Sequence, residues 1–235
     1  MKKIIFKFLF LIFIFTFVNN ANADDQTEIT TDGGIEVYQK DKYYELIKNV
    51  NIKSKDFTLK AHNVKAYYNK DFYDLVKIVA IGNAKMNTSD GAIILGNKII
   101  YETTEQKFHI IGNGNFSNSE LTVIGDDIKG NFIKINEKSY VENVEAKDAD
   151  HVYIENKEMK SYSKSAIYSK EKDIIELFDS VKIIKNREIT TGDYANINMV
   201  TKNYSIITNN NPIIINGYQI KSNDNKAKLF ISTTD

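Results

Sequence analysis

The chain repeats itself. GNAKMNTSDGAIILGNKIIY at residues 82–101 and GNGNFSNSELTVIGDDIKGNF at 112–132 carry the same order of small, polar and apolar residues. One landmark, a small or polar residue that opens a turn into a strand, recurs at Thr31, Ala61, Gly96, Gly125, Ser163 and Gly192. A second falls between these, at Val50, Ala84, Gly114, Val144 and Val181. Both advance by roughly thirty residues a step, so the sequence holds about six degenerate units. A unit that short cannot bury an apolar face alone and must stack on copies of itself.

Within a unit the apolar period is two, which is the period of a strand. Stepping back from the second landmark meets Leu46 and Tyr44, Ala80 and Ile78, Ile110 and Phe108, Tyr140, and Leu177 and Ile175. Stepping forward meets Ile52, Met86, Phe116, Ala146 and Ile183. The alternate positions carry Lys53, Lys85, Glu145 and Lys182. Turn chemistry at Asn69-Lys70-Asp71, Thr88-Ser89-Asp90-Gly91, Ser117-Asn118-Ser119 and Lys170-Glu171-Lys172 separates the strands. Gly96, Gly112, Gly125 and Gly192 stand where the chain turns sharply or approaches a neighbour closely. The expected fold is all-β, a stack of antiparallel rungs. Ile213–Ile215 and Leu229–Ile231 read as further strands, and the one proline, Pro212, falls near the end of the array.

The first 23 residues read differently. Lys2 and Lys3 precede the apolar run IIFKFLFLIFIFTFV, and NNANA follows it, which describes a secretory signal peptide with cleavage after Ala23. The run falls short of the roughly 18–20 apolar residues of a spanning helix, and Lys7 interrupts it. The expected organisation is a signal peptide at 1–23 and a single exported domain at 24–235. The whole chain has 31 basic and 31 acidic residues. Cleavage removes three lysines and no acid, and a slightly acidic surface lacks the basic footprint of a nucleic-acid binder. With no cysteine, the exported chain is held by its core and its stacking rather than by disulfides.

EITTDGGIEVYQ, KNVNIKSKDFTLKAHNVKAYYN, GNAKMNTSDGAIILGNKIIYETTEQKFHIIGNG and REITTGDYANINMVTKNYSII together resemble the OstA-like, or LptA, family of periplasmic lipopolysaccharide transport proteins. The resemblance spans about residues 28–210, on alternating apolar residues with recurrent G-N-[VA] and [AG]-[DN] turns. It implies an open, twisted β-jellyroll, V-shaped in section, whose interior takes the acyl chains of lipopolysaccharide. It also implies partners: LptC-like inner-membrane and LptD-like outer-membrane proteins of the same fold, and head-to-tail copies of the chain itself, with no cofactor and no catalysis. Ile29 and Tyr101 match lipid-contacting positions of the family, and Met86 an interior one. Parity adds Val50, Ile52, Leu59, Ile94, Ile99 and Phe116 as inward-facing, where each serves either as lipid contact or as plain core. The chain departs from the family in its Asn/Asp-rich turns. The unit around residues 145–160, EAKDADHVYIENKE, is also longer than the others and reads as a surface loop.

Little else carries chemistry. There is no thiol, and His62, His109 and His151 lie in different units without metal-ligand spacing. Asp148, Asp150 and His151 form the best metal candidate, but a Ca²⁺ loop needs more oxygen ligands and usually a glycine turn. Gly112-Asn113-Gly114 precedes no helix pattern, so it is not a phosphate loop. Two further readings stand beside the carrier. One is an LptC-like partner that keeps residues 4–18 as a membrane anchor. The other is a carbohydrate-acting β-solenoid, disfavoured because no carboxylate set repeats at matched positions and tryptophan is absent. No barrel domain follows within the 235 residues, so the smaller member type of the family is expected rather than the outer-membrane one.

Overall fold

The computed structural model describes residues 27–72, 74–135, 138–208, 213–215, 218–220 and 227–231; the expected leader at 1–23 and Pro212 lie outside them. The described residues form strands and turns, with no helix among them. The strands are β1 (Glu28–Thr30), β2 (Ile35–Tyr38), β3 (Tyr43–Lys53), β4 (Phe57–Tyr68), β5 (Leu75–Thr88), β6 (Ile93–Glu102), β7 (Lys107–Ser117) and β8 (Thr122–Ile135). There follow β9 (Lys138–Glu155), β10 (Met159–Ser169), β11 (Ile174–Lys185), β12 (Glu188–Asn198) and β13 (Tyr204–Ile207), then β14 (Ile213–Ile215), β15 (Tyr218–Ile220) and β16 (Lys228–Ile231). Each of the repeated units is a hairpin of two strands. From β3 to β12 every strand pairs antiparallel with the next, in one 14-stranded sheet. β1 and β2 share one edge on β3, β13 and β16 share the other on β12, and β14–β15 form a separate two-stranded ribbon.

The two sequence landmarks turn out to be partners across the ladder. Val50 pairs with Ala61, Ala84 with Gly96, Gly114 with Gly125 and Val181 with Gly192. In each pair the register slips just before the landmark, so that two residues oppose one. That is a β-bulge, which bends a strand and steepens its twist. The doubled residues are Lys48-Asn49, Gly82-Asn83, Gly112-Asn113 and Asp179-Ser180, and all eight have positive φ. Glycine enters that region without strain, and Asn and Asp are the side chains that best tolerate it. The recurrent Gly-Asn word is therefore a left-handed corner, used at Gly82 (φ 85) and Asn83 (φ 47) and again at Gly112 (φ 75) and Asn113 (φ 51).

Bulges in line across successive strands fold the whole sheet into two facing walls. Phe108 and Phe116 lie on either side of the β7 corner, eight positions apart. Fully extended they would stand about 26 Å apart; instead their rings stack with centroids 5.4 Å apart and 8° between planes. The first wall holds β1, β16 and the halves of β3–β12 that pair with them in line; the second holds β2, β13 and the other halves. The architecture is an open, twisted β-jellyroll. The slip on the even-numbered strands also explains how Ile94 and Ile99, at opposite parity, are both fully buried.

Two expectations need correction around residue 145. The stretch at 145–160 is not a loop: most of it lies in β9, the 18-residue strand. Its extra residues, Asp148–His151, form a wider corner between Lys147 and Val152, opposite the single residue Lys164. The Asp148 carboxylate accepts the backbone N–H groups of Asp150 (2.7 Å) and His151 (3.2 Å), which is a corner's own hydrogen bonding rather than a metal cradle. The landmark of this unit is accordingly Val152, paired with Ser163, and not Val144, which pairs with Gly130 and Tyr168. A second irregularity, with Glu142 extra between Val141 and Asn143, reverses the parity below Val144, so Tyr140 is 43% exposed while Ser139 and Val141 are buried.

Candidate functional site

The two walls enclose one apolar cluster that runs from Tyr44 on β3 to Ile197 on β12 without a break between strands. Val50, Ile52, Leu59, Met86, Ile94, Ile99, Tyr101 and Phe116 all lie in it, each at most 4% exposed. Ile29, on the edge strand β1, is half-buried and packs against the cluster. Alternation and the bulges bring these nine residues together from β1 and β3–β7. What alternation cannot specify is the opening at the end of the stack. There Ile29, Ile35, Val37, Tyr44, Phe72 and Leu75 line an apolar cavity of about 260 Å³. Ile35 (54% exposed) and Val37 (48%) stand at its rim because β2 has a neighbour on one side only. Burial pushes the Tyr44 phenol up to about 12, which keeps it neutral and compatible with hydrocarbon.

A depression of about 390 Å³ lies on the outer face, over Ile100 and Gly130. Its rim is ion-paired, Lys77 to Glu102 at 3.7 Å and Lys129 to Asp127 at 3.8 Å, with side chains about half exposed. Pairs so solvated contribute roughly 0–1 kcal/mol, and Lys107, His109 and Glu145 add further charged or polar groups around the depression. The interior and its mouth remain the candidate site. Among the described residues no three His, Asp or Glu side chains stand together as a metal would require.

Opposite the corners, the hairpin tips of the two walls face each other across a slot. Among the described residues no backbone ladder crosses it; side chains do. The Phe57 and Tyr101 rings meet edge-on with centroids 5.5 Å apart. Lys134 reaches Asp56 at 3.2 Å. The Glu120 carboxylate, from the β7–β8 turn, accepts Tyr168 Oη at 2.8 Å and Lys170 Nζ at 2.7 Å from the second wall. Residue spacing gives no hint of these contacts, because turns about fifty residues apart meet only through the angle between the walls.

Burial alone would raise the Glu120 carboxyl, but the hydrogen bonds from Lys170 and Tyr168 outweigh it and hold the group below its ordinary value. The folded chain thus binds fewer protons here than the unfolded one. The contribution is fully present above the ordinary carboxylate range and fades as pH falls through the depressed folded value. Glu120→Gln should therefore melt a few degrees below the parent at pH 7, on the order of 1 kcal/mol for so exposed a pair. Thermal melts at decreasing pH should show the gap closing as the pH falls below the ordinary carboxylate range; a gap that persists there would assign it to packing instead.

Fold and site together define a class: an open β-jellyroll that sheathes a continuous apolar interior and leaves a strand edge at each end. The model of the family LptA/(LptD N-terminal domain) LPS transport protein matches residues 28–134 and 131–203. The chain belongs to that family, whose members are transport proteins. Among solved structures it is similar to LptH, the LptA-homologous periplasmic component of the lipopolysaccharide transport device of Pseudomonas aeruginosa. The identity is 10%, over 89% of this chain and 96% of that one, with a TM-score of 0.27. No sequence among the curated proteins matches it.

Proposed function

We propose that this chain is a periplasmic carrier of lipopolysaccharide, and that its interior shields the acyl chains while copies join end to end toward the outer membrane. The observation that carries the reading is the apolar cluster, which is continuous through every long strand. Each methylene moved from water into such a space contributes roughly 0.8 kcal/mol, so several acyl chains suffice for affinity without polar chemistry or catalysis. In this reading Ile29, Val50, Ile52, Leu59, Met86, Ile94, Ile99, Tyr101 and Phe116 are lipid contacts, and residues 1–23 are removed on export to leave one domain at 24–235.

The two ends support the joint. Each edge is split into half-strands, β1 and β2 at one end, β16 and β13 at the other, with one half on each wall. Strand sense alternates through the stack. A second copy placed head to tail thus offers β16 to β1 and β13 to β2, both antiparallel, and strand addition supplies main-chain hydrogen bonds. Contacts of that kind do not close and propagate as a filament. LptC-like and LptD-like proteins of the same fold would use the same edges. The alternative of a membrane-anchored LptC-like protein is separated by the N-terminal residue of the cellular protein: Asp24 for the carrier, Met1 for the anchored partner.

The test is capture of lipopolysaccharide by the purified exported chain, beside a phospholipid control. Selective retention of lipopolysaccharide is expected. A folded chain that retains neither lipid would set the carrier reading aside in favour of a scaffolding role.

A further inference from the structure

We infer that lipid is admitted sideways, through the slot between the two rows of hairpin tips, and that Glu120 with Tyr168 and Lys170 is the latch that holds this slot shut. The inference rests on the carrier reading above. The interior is filled by its own side chains: Ile52, Leu59, Met86, Ile94 and Phe116 are fully buried. A packed interior accepts a guest only if its walls part. The mouth at the end of the stack is the face that a second copy would cover in the carrier reading, which leaves three boundaries along the stack that could give way. The ladders within each wall are continuous hydrogen-bonded sheet from β3 to β12. Four of the five corners are fixed by paired residues in left-handed conformation, and the fifth, on β9, by the Asp148 carboxylate. Of these three, the slot alone is crossed by no ladder among the described residues.

Apart from the buried Phe57–Tyr101 ring contact, what crosses the slot is sparse and of a kind that opens readily. Glu120 and Lys170 are 41% and 40% exposed along their side chains, and Lys134 and Asp56 are 44% and 46% exposed. Such exposed pairs exchange with water at little cost. Glu120 differs from the other slot residues in holding two partners at once, one of them Tyr168, which is 2% exposed and whose hydroxyl reaches the carboxylate. The contact therefore ties a wall's buried face to the opposite tip. Lys170 also lies 3.6 Å from Asp173, so it keeps a partner when the latch opens. Glu120 is a positioning residue in this account: it holds the walls and touches no lipid.

The chain has no cysteine, which allows a clean lock. Glu120→Cys with Lys170→Cys, in the full chain purified after export, is bridged by a short bis-methanethiosulfonate reagent that reductant removes. Thr58→Cys with Asn87→Cys, ladder partners within one wall, takes the same reagent as a control. The reduced latch pair should capture purified lipopolysaccharide and the bridged pair should lose roughly tenfold or more, since the competent state is withdrawn. Reductant should restore capture, and bridging the control pair should change nothing. Equal capture by bridged and reduced forms overturns the sideways route in favour of the ends. If the reduced pair and the parent both fail to capture, the carrier reading itself fails and the inference falls with it. Glu120→Gln should speed uptake by about threefold or more; an unchanged rate removes the latch role from Glu120.

Discussion

Ile94→Asp should leave a chain that does not fold cooperatively. Ile94 is fully buried between Met86 and Phe116, its ladder partners on β5 and β7. The substitution forfeits about 2–3 kcal/mol of apolar burial and adds several kcal/mol for a carboxylate with no partner. A total stability of roughly 5–15 kcal/mol does not withstand that comfortably. Ile93→Asp, one residue away, reverses the outcome. Ile93 is exposed on the outer face, and the change should stay within about 0.5 kcal/mol. Urea melts of the two variants measure the contrast. Equal losses would mean that β6 does not present its faces as described.

Gly114→Ala should cost about 2–3 kcal/mol, a fall of roughly 5–10 °C in melting temperature. A Cβ at Gly114 would sit 2.6 Å from the carbonyl oxygen of Gly125, its ladder partner, and 3.1 Å from Ile128 Cδ1. The first obstacle is backbone, so the ladder itself must spread next to the corner. Gly91→Ala provides the comparison. Gly91 has φ +88 but nothing within 4 Å of an added Cβ, so only left-handed strain of about 1 kcal/mol remains. Calorimetry that ranks Gly91→Ala as the costlier change would contradict this account of why the corners carry small residues.

The sequence made the rungs legible because burial on one face imposes a period of two that survives in Leu46, Ile78, Ile110 and Ile183. It made the corners legible as well, since Gly82-Asn83 and Gly112-Asn113 answer to a backbone demand that few residues meet. It failed where one unit meets that demand differently. Asp148–His151 turns its corner with four residues and no positive φ, so the Gly-Asn word is absent and Val144 passes for the landmark that Val152 occupies. The slot was not legible at all. Lys170 reads only as a turn residue and Glu120 carries no signal of its own, and their contact depends on the angle at which two walls meet. The mouth lay between these cases: Ile35 and Val37 alternate like core residues, and only the missing neighbour of β2 leaves them open.

The central claim is that acyl chains lie between the walls and not on the outer face. A photo-crosslinking phenylalanine at Phe116, fully buried inside, and at Tyr153, on the outer side of β9, tests it directly with lipopolysaccharide bound in the periplasm. The account predicts a lipid adduct at Phe116 and none at Tyr153. An adduct at Tyr153 with none at Phe116, in chains that fold equally well, would contradict it.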